Sequence, residues 1–169
     1  MAKPIRKILF TSDLTKASVQ MFEQTVVLAS QLGASISILH VIEDGSTGSQ
    51  NRMVHLVDRD VYERIRNENR ENVKQALIGK EKSVPVIENA LRALCNDVPD
   101  KNDIPHVKID SIEVHYGDPT EHITAFSRSA DLVVMGYYRK GSLLRALMGS
   151  AGRNVIKKSQ IPIFLIPIG

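Results

Sequence analysis

"IRKILFTSDLTKASVQMFEQTVVLASQLGASISILHVIED", residues 5–44, decides the fold. Its first nine residues alternate and then run apolar, with β-branched side chains, which predicts a buried strand ending near Thr11. Residues 13–33 change period. Val19, Phe22, Val26, Ala29 and Leu32 recur at helical spacing, Thr15 is placed to cap the helix and Gly33 to stop it. "ASISILHVIED" returns to strand. Strand, helix and strand in close succession predict a parallel pair with a right-handed crossover.

The same alternation resumes towards the C-terminus. "VKIDSIEVHYGDP" (107–119) reads as a third strand and "TEHITAFSRSA" (120–130) as a helix begun by Thr120. "DLVVMG" (131–136) is a short apolar strand of the kind buried on both faces, "SAGRNVIKKS" (150–159) a helix and "IPIFLIP" (161–167) a fifth strand. Between strands 2 and 3, residues 44–106 form an extended loop and helical segment. "DGSTGSQNR" (44–52) is loop-like, residues 56–79 read as a charged helix, and Ser83 looks like a cap for residues 84–97 with Pro85 in the first turn. "VPDKNDIPH" (98–106) reads as a loop.

The expectation is one α/β domain over residues 1–169, built on a five-stranded, doubly wound, Rossmann-like parallel sheet of order 3-2-1-4-5. Ligands of such sheets bind beyond the carboxyl ends of the strands where the order reverses, here between strands 1 and 4. Asp13 and Gly136 fall there.

Composition narrows the class. The chain has 169 residues, 43% hydrophobic and 24% charged, close to the globular average. No apolar run approaches the roughly 20 residues of a membrane helix. "MAKPIRKILFTSD" reaches an acidic residue too early for a signal peptide, and Cys95, the single cysteine, fits a reducing compartment, so a cytoplasmic location is expected. Residues 139–169 carry six basic side chains and no acidic one, while the rest has 16 basic against 19 acidic. The bland reading of that asymmetry is a solvated basic helix face; the sharper one is an anionic partner. Nucleic acid is disfavoured, because aromatic residues are 5% of the chain and tryptophan is missing.

The loop after strand 4, in "MGYYRKGSLLRALMGSAGRNVIKKS" (135–159), has glycines where a phosphate cradle needs them. It contains neither G-x-x-x-x-G-K-[ST] nor G-x-G-x-x-G, and glycines at strand–helix junctions also serve simply to turn the chain. Spacing leaves both readings open.

The segments "KILFTSDLTKAS", "ISILHVIED", "VHYGDPTEHI", "DLVVMGYYRKG" and "MGSAGRNVIKKSQIPIFLIP" together resemble the universal stress protein family. The resemblance covers roughly residues 5–43 and 111–168. It implies a cytoplasmic homodimer paired through the last strand, 161–167, and, in one branch, binding of ATP or another adenine nucleotide with Mg2+. That branch carries G-x2-G-x9-G-[ST]. Gly136 matches its first glycine, Gly149 and Ser150 its last pair, and Arg139 stands where the middle glycine is expected. By the same resemblance Asp13 and Val41 hold the adenosine, with Thr11, in place of a proline, Ser12 and Met135 beside them. Gly149, Ser150 and the Ala151 amide hold the phosphates. Arg139 has two possible consequences: strain of about 1–2 kcal/mol at a positive-φ position, or a bidentate clamp on the phosphates. Tyr137 and Tyr138 either stack over the nucleoside or close the pocket.

The leading expectation is an adenine-nucleotide-binding stress-response regulator with an unnamed protein partner. The alternative is a protein-interaction module of the same fold without nucleotide. Catalysis is not expected beyond slow nucleotide hydrolysis, since no nucleophile elbow or paired carboxylates occur. His40, His55, His106, His115 and His122 lack metal-ligand spacing, so no metal site is expected. His40 reads as a core histidine, His115 and His122 as surface residues, and Cys95 as a packing residue beside Leu91 and Leu94.

Overall fold

The computed structural model describes residues 3–42, 83–102, 104–138 and 150–168. The expected loop 44–52 and helix 56–79 lie outside them, as do Arg139 and Gly149. The chain order is β1 (Lys7–Thr11), α1 (Lys16–Leu32), β2 (Ser35–Ile42), α2 (Ser83–Asn102), β3 (Ile109–Tyr116), α3 (Pro119–Ser127), β4 (Leu132–Tyr138), α4 (Ser150–Lys158) and β5 (Ile163–Ile168). All pairings are parallel and the strand order is β3-β2-β1-β4-β5, as the alternation predicts.

Each sheet face has its own apolar layer. Ile8, Phe10, Ile36, Ile38 and Val134 pack against α1 and α2, where Phe10 meets Phe22 edge to face with centroids 5.4 Å apart. Leu9, Leu39, Val133 and Met135 face the other way, against Ile123 of α3 and Val155 of α4. Successive residues of a strand point to opposite faces, so a strand covered on both sides must be apolar throughout.

Gly33 ends α1 in the left-handed region at φ 63, its N–H directed to the carbonyls of Ala29 and Ser30. Thr15 holds the N-cap position, but its side chain makes no cap bond. Phe22, Val26 and Ala29 are core residues and Val19 half-buried, while Leu32, in the last turn, is 42% exposed.

Several boundaries differ from the sequence expectation, and Ser83, expected as a cap, is the first residue of α2. Helix α2 continues through Pro99 to Asn102, where a loop was expected. Proline removes one helical N–H, but Ile87, Leu91, Leu94 and Val98 extend a single buried seam whose burial outweighs that bond. Helix α3 begins at Pro119 with Asp118 as its cap, not at Thr120: the Asp118 carboxylate accepts the Glu121 amide at 2.9 Å. Strand β4 runs on to Tyr138, two residues past the expected end at Gly136, because β5 pairs with it as far as Tyr138↔Ile168.

The amino end of the sheet is tied by two carboxylates. Asp131 Oδ2 accepts the Arg6 and Lys7 amides at 3.1 and 3.0 Å, and Lys3 Nζ lies 2.5 Å from Oδ1. The Lys3 ammonium, then the Arg6 amide, hold this carboxyl below its ordinary range. Asp110 accepts the Ser35 hydroxyl at 2.5 Å and lies 3.0 Å from Lys108 Nζ; Ser35 first, then Lys108, lower it likewise. Both are acceptors of charge-assisted bonds.

Candidate functional site

Strand β1 has five residues between an eight-residue β2 and a seven-residue β4. It pairs with β4 no further than Val134 and with β2 no further than Leu39. Residues 40–42 and 136–138 therefore stand past its end on either side, and the sheet is notched beyond Thr11. This is the point where strand order reverses.

The chain leaves β1 under several constraints. The Ser12 amide donates to the Leu39 carbonyl at 3.0 Å, and His40 Nδ1 lies 2.7 Å from the Ser12 carbonyl. Thr11 Oγ1 donates to the Val134 carbonyl at 3.1 Å, a last link from β1 to β4. Leu14 takes the left-handed conformation at φ 60, and its side chain is fully buried. A non-glycine residue there costs about 1–2 kcal/mol, which burial of the leucine offsets. The Ser12 hydroxyl accepts the Leu14 amide at 3.2 Å.

Asp13 Oδ1 accepts the Thr15 amide at 3.0 Å, the Thr15 hydroxyl at 2.7 Å and the Ser18 hydroxyl at 2.7 Å. Asp13 thus stabilises the turn that leads into α1. Ser18, which is completely buried, carries no sequence signal that would single it out. Val41 is half-buried on the Leu39 side of β2, with His115 as its register partner on β3.

The residues of β4 divide by face. Met135 is buried in the layer under α3 and α4. Gly136 faces α1, and a Cβ placed on it would lie 2.6 Å from Met21 Sδ and 2.9 Å from Ile168 Cδ1. Its missing side chain is therefore already used by the packing of α1. Sequence spacing could not separate this from room for a ligand.

The crossover from β4 to β5 places the start of α4 at the carboxyl end of the sheet. Ser150 and Ala151 are its first residues, and Lys157 and Lys158 fill its last turn, with the helix dipole as charge complementarity requires. Thr11, Ser12, Asp13, Val41, Met135 and Gly136 thus all fall at or just past the carboxyl ends of the central strands, Met135 and Gly136 on opposite faces of the sheet. A separate groove of about 400 Å³, bordered by Val27, Leu28, Ile104 and Phe164, shares none of these residues.

His40 is a core residue, as expected. His115 and His122 are half-buried at the edge of the sheet, stacked at 5.2 Å, and the Phe126 ring lies tilted 5.2 Å from His115. Among the described residues no group of three acidic, histidine or cysteine side chains could hold a metal. Burial pushes the Cys95 thiol up to about 12, which removes it from nucleophilic chemistry at neutral pH. No helix among the described residues is long and apolar enough to cross a membrane.

Residues 4–167 match the universal stress protein family. Universal stress protein MJ0577 of Methanocaldococcus jannaschii is 24% identical over 176 residues, covering 98% of this chain and 97% of that one. The fold is similar to that of a universal stress protein in complex with cAMP (TM-score 0.55, 13% identity, 99% of this chain and 100% of the other). It is also similar to that of the universal stress protein from Archaeoglobus fulgidus in complex with dAMP (TM-score 0.52, 16% identity, 97% and 99%).

Proposed function

The chain belongs to the universal stress protein family, and from that premise we propose that it binds an adenine nucleotide in the notch over β1. It acts as a stress-response regulator that presents its bound or empty state to a protein partner. One observation carries the reading: β1 stops short between β2 and β4 at the switch point, in a fold whose relatives hold cAMP and dAMP.

The roles follow from side-chain chemistry. Asp13, an acceptor when ionised, meets an amino or hydroxyl group of the nucleoside. Val41 offers an apolar wall to the base, and Thr11, Ser12, Met135 and Gly136 shape the floor and far side. The first amides of α4, at Ser150 and Ala151, meet phosphate, as helix N-termini do. Gly149 and Arg139 join them by their place in the glycine pattern. ATP is the proposed nucleotide, and it would bring Mg2+ with its phosphates. No efficient catalysis belongs to this reading. Self-association along β5 does: Phe164 and Leu165 are 44% and 36% exposed on an edge strand, and such an edge calls for cover.

One observation favours a second reading, an interaction module without nucleotide: the space over Gly136 already accommodates Met21. Denaturing freshly purified protein and separating the released small molecules distinguishes the two readings, followed by ATP calorimetry on stripped protein. Released adenine nucleotide or micromolar affinity supports the first. No nucleotide and no heat at millimolar ATP leave the second.

A further inference from the structure

Ser18 is buried to 0% exposure in the first turns of α1. A buried helical serine or threonine ordinarily satisfies its hydroxyl on a carbonyl of the preceding turn. Two others here do so: Thr25 donates to the Met21 carbonyl at 2.6 Å and Ser127 to the Thr124 carbonyl at 2.8 Å. Ser18 instead donates across the helix start to Asp13 Oδ1 at 2.7 Å. The Thr15 hydroxyl reaches the same oxygen at the same distance.

We propose that Ser18, with Thr15, is a positioning residue that holds the Asp13 carboxylate in a single orientation at the notch, ready to receive a nucleoside donor group. The inference rests on the nucleotide-binding reading above and adds to it a residue that touches no ligand. The chemistry is preorganisation. An aspartate beyond the end of a strand has two side-chain torsions to order on binding, and that loss of freedom weakens affinity. Two hydroxyls and one amide, all converging on Oδ1, order it beforehand and fix the plane of the carboxylate. Because Ser18 is buried and α1 is anchored in the core through Met21 and Phe22, the constraint comes from a rigid element and not from a loop.

The test is a double-mutant cycle read by ATP calorimetry on the full chain, with Ser18→Ala, Asp13→Asn and the pair titrated to millimolar ATP. Circular dichroism checks that each variant is folded. Ser18→Ala is expected to weaken ATP about tenfold in the wild-type background, the scale of one bond to a charged group, and to change nothing further beside Asp13→Asn. If Ser18→Ala destabilises the fold, Thr15→Val carries the same cycle, because it removes another hydroxyl donor to the same oxygen from a half-buried position. Wild-type affinity in Ser18→Ala, or an equal loss in both backgrounds, overturns the positioning role alone and leaves nucleotide binding standing. A wild-type chain that gives no heat with ATP overturns the nucleotide-binding reading, and this inference with it.

Discussion

The two ends of the sheet are built on opposite plans. At the amino end every neighbour is tied: Asp131 takes the Arg6 and Lys7 amides, Asp110 takes Ser35, and the Ser35 amide donates to the Arg6 carbonyl at 2.9 Å. At the carboxyl end the central strand stops early and its neighbours continue without it. A parallel sheet can leave such a notch only if its strands are held in register elsewhere, and the carboxylate ties do that. If the proposed function holds, stability and recognition are separated along the strand direction, and substitutions at the two ends should be separable as well.

The largest effect expected runs against a simple division. Gly136→Val would push a side chain into Met21 Sδ and Ile168 Cδ1 at the carboxyl end, costing about 3 kcal/mol of overpacking. Urea denaturation should show a lower midpoint, and adding Met21→Ala should recover part of it. An unchanged midpoint would mean that α1 can move away from β4, and that Gly136 is free for a ligand after all.

Asp131→Ala comes next, at about 2 kcal/mol, because two backbone amides lose a charged acceptor. Its effect on ATP affinity should be nil. A variant that binds ATP much more weakly while still folded would show that the two ends are coupled through β4.

Acid should attack the amino end first. Asp131 and Asp110 have folded pKa values below their unfolded ones, so at low pH the unfolded chain binds more protons. Their contribution is complete above the ordinary carboxylate range and is lost as pH falls through the depressed folded values. Urea midpoints measured from about pH 5 to pH 2 should drop steeply in the wild type and less so in Asp110→Asn/Asp131→Asn. Parallel curves would assign the acid sensitivity to other groups.

Gly33→Ala should have the smallest effect, about 1 kcal/mol, because φ is +63 there but a Cβ would meet nothing within 4 Å. A larger loss would show that the turn into β2 sets the amino-end register as well as ending a helix.

Much of this was legible in the sequence. The change of period from strand to helix to strand across residues 5–44, repeated after residue 106, suffices for the order β3-β2-β1-β4-β5. The end of β1 at Thr11 could be read, and with it the place of the notch. The duties of particular atoms could not. "SDLT" signals a turn aspartate, but Ser18 lies beyond the turn, and only the coiling of α1 brings its hydroxyl back to Asp13. Gly136 reads as a ligand glycine because Met21, its actual neighbour, is far away in sequence and belongs to an unremarkable helical stripe. The end of α2 was misplaced for a related reason: a proline usually marks a boundary, and burial of Val98 overrules it.

The pairing of β1 with β4 also sets a clock for biosynthesis. Lys7 and Asp131, which meet at the amino end, lie 124 residues apart in the chain. At translation rates of about 5–20 residues per second, the first strand emerges roughly 6 to 25 s before its partner exists. During that interval one side of β1 has no native strand to receive it, and its apolar faces are a target for chaperones or for neighbouring nascent chains. A cell making this protein quickly would have many such half-sheets waiting at once.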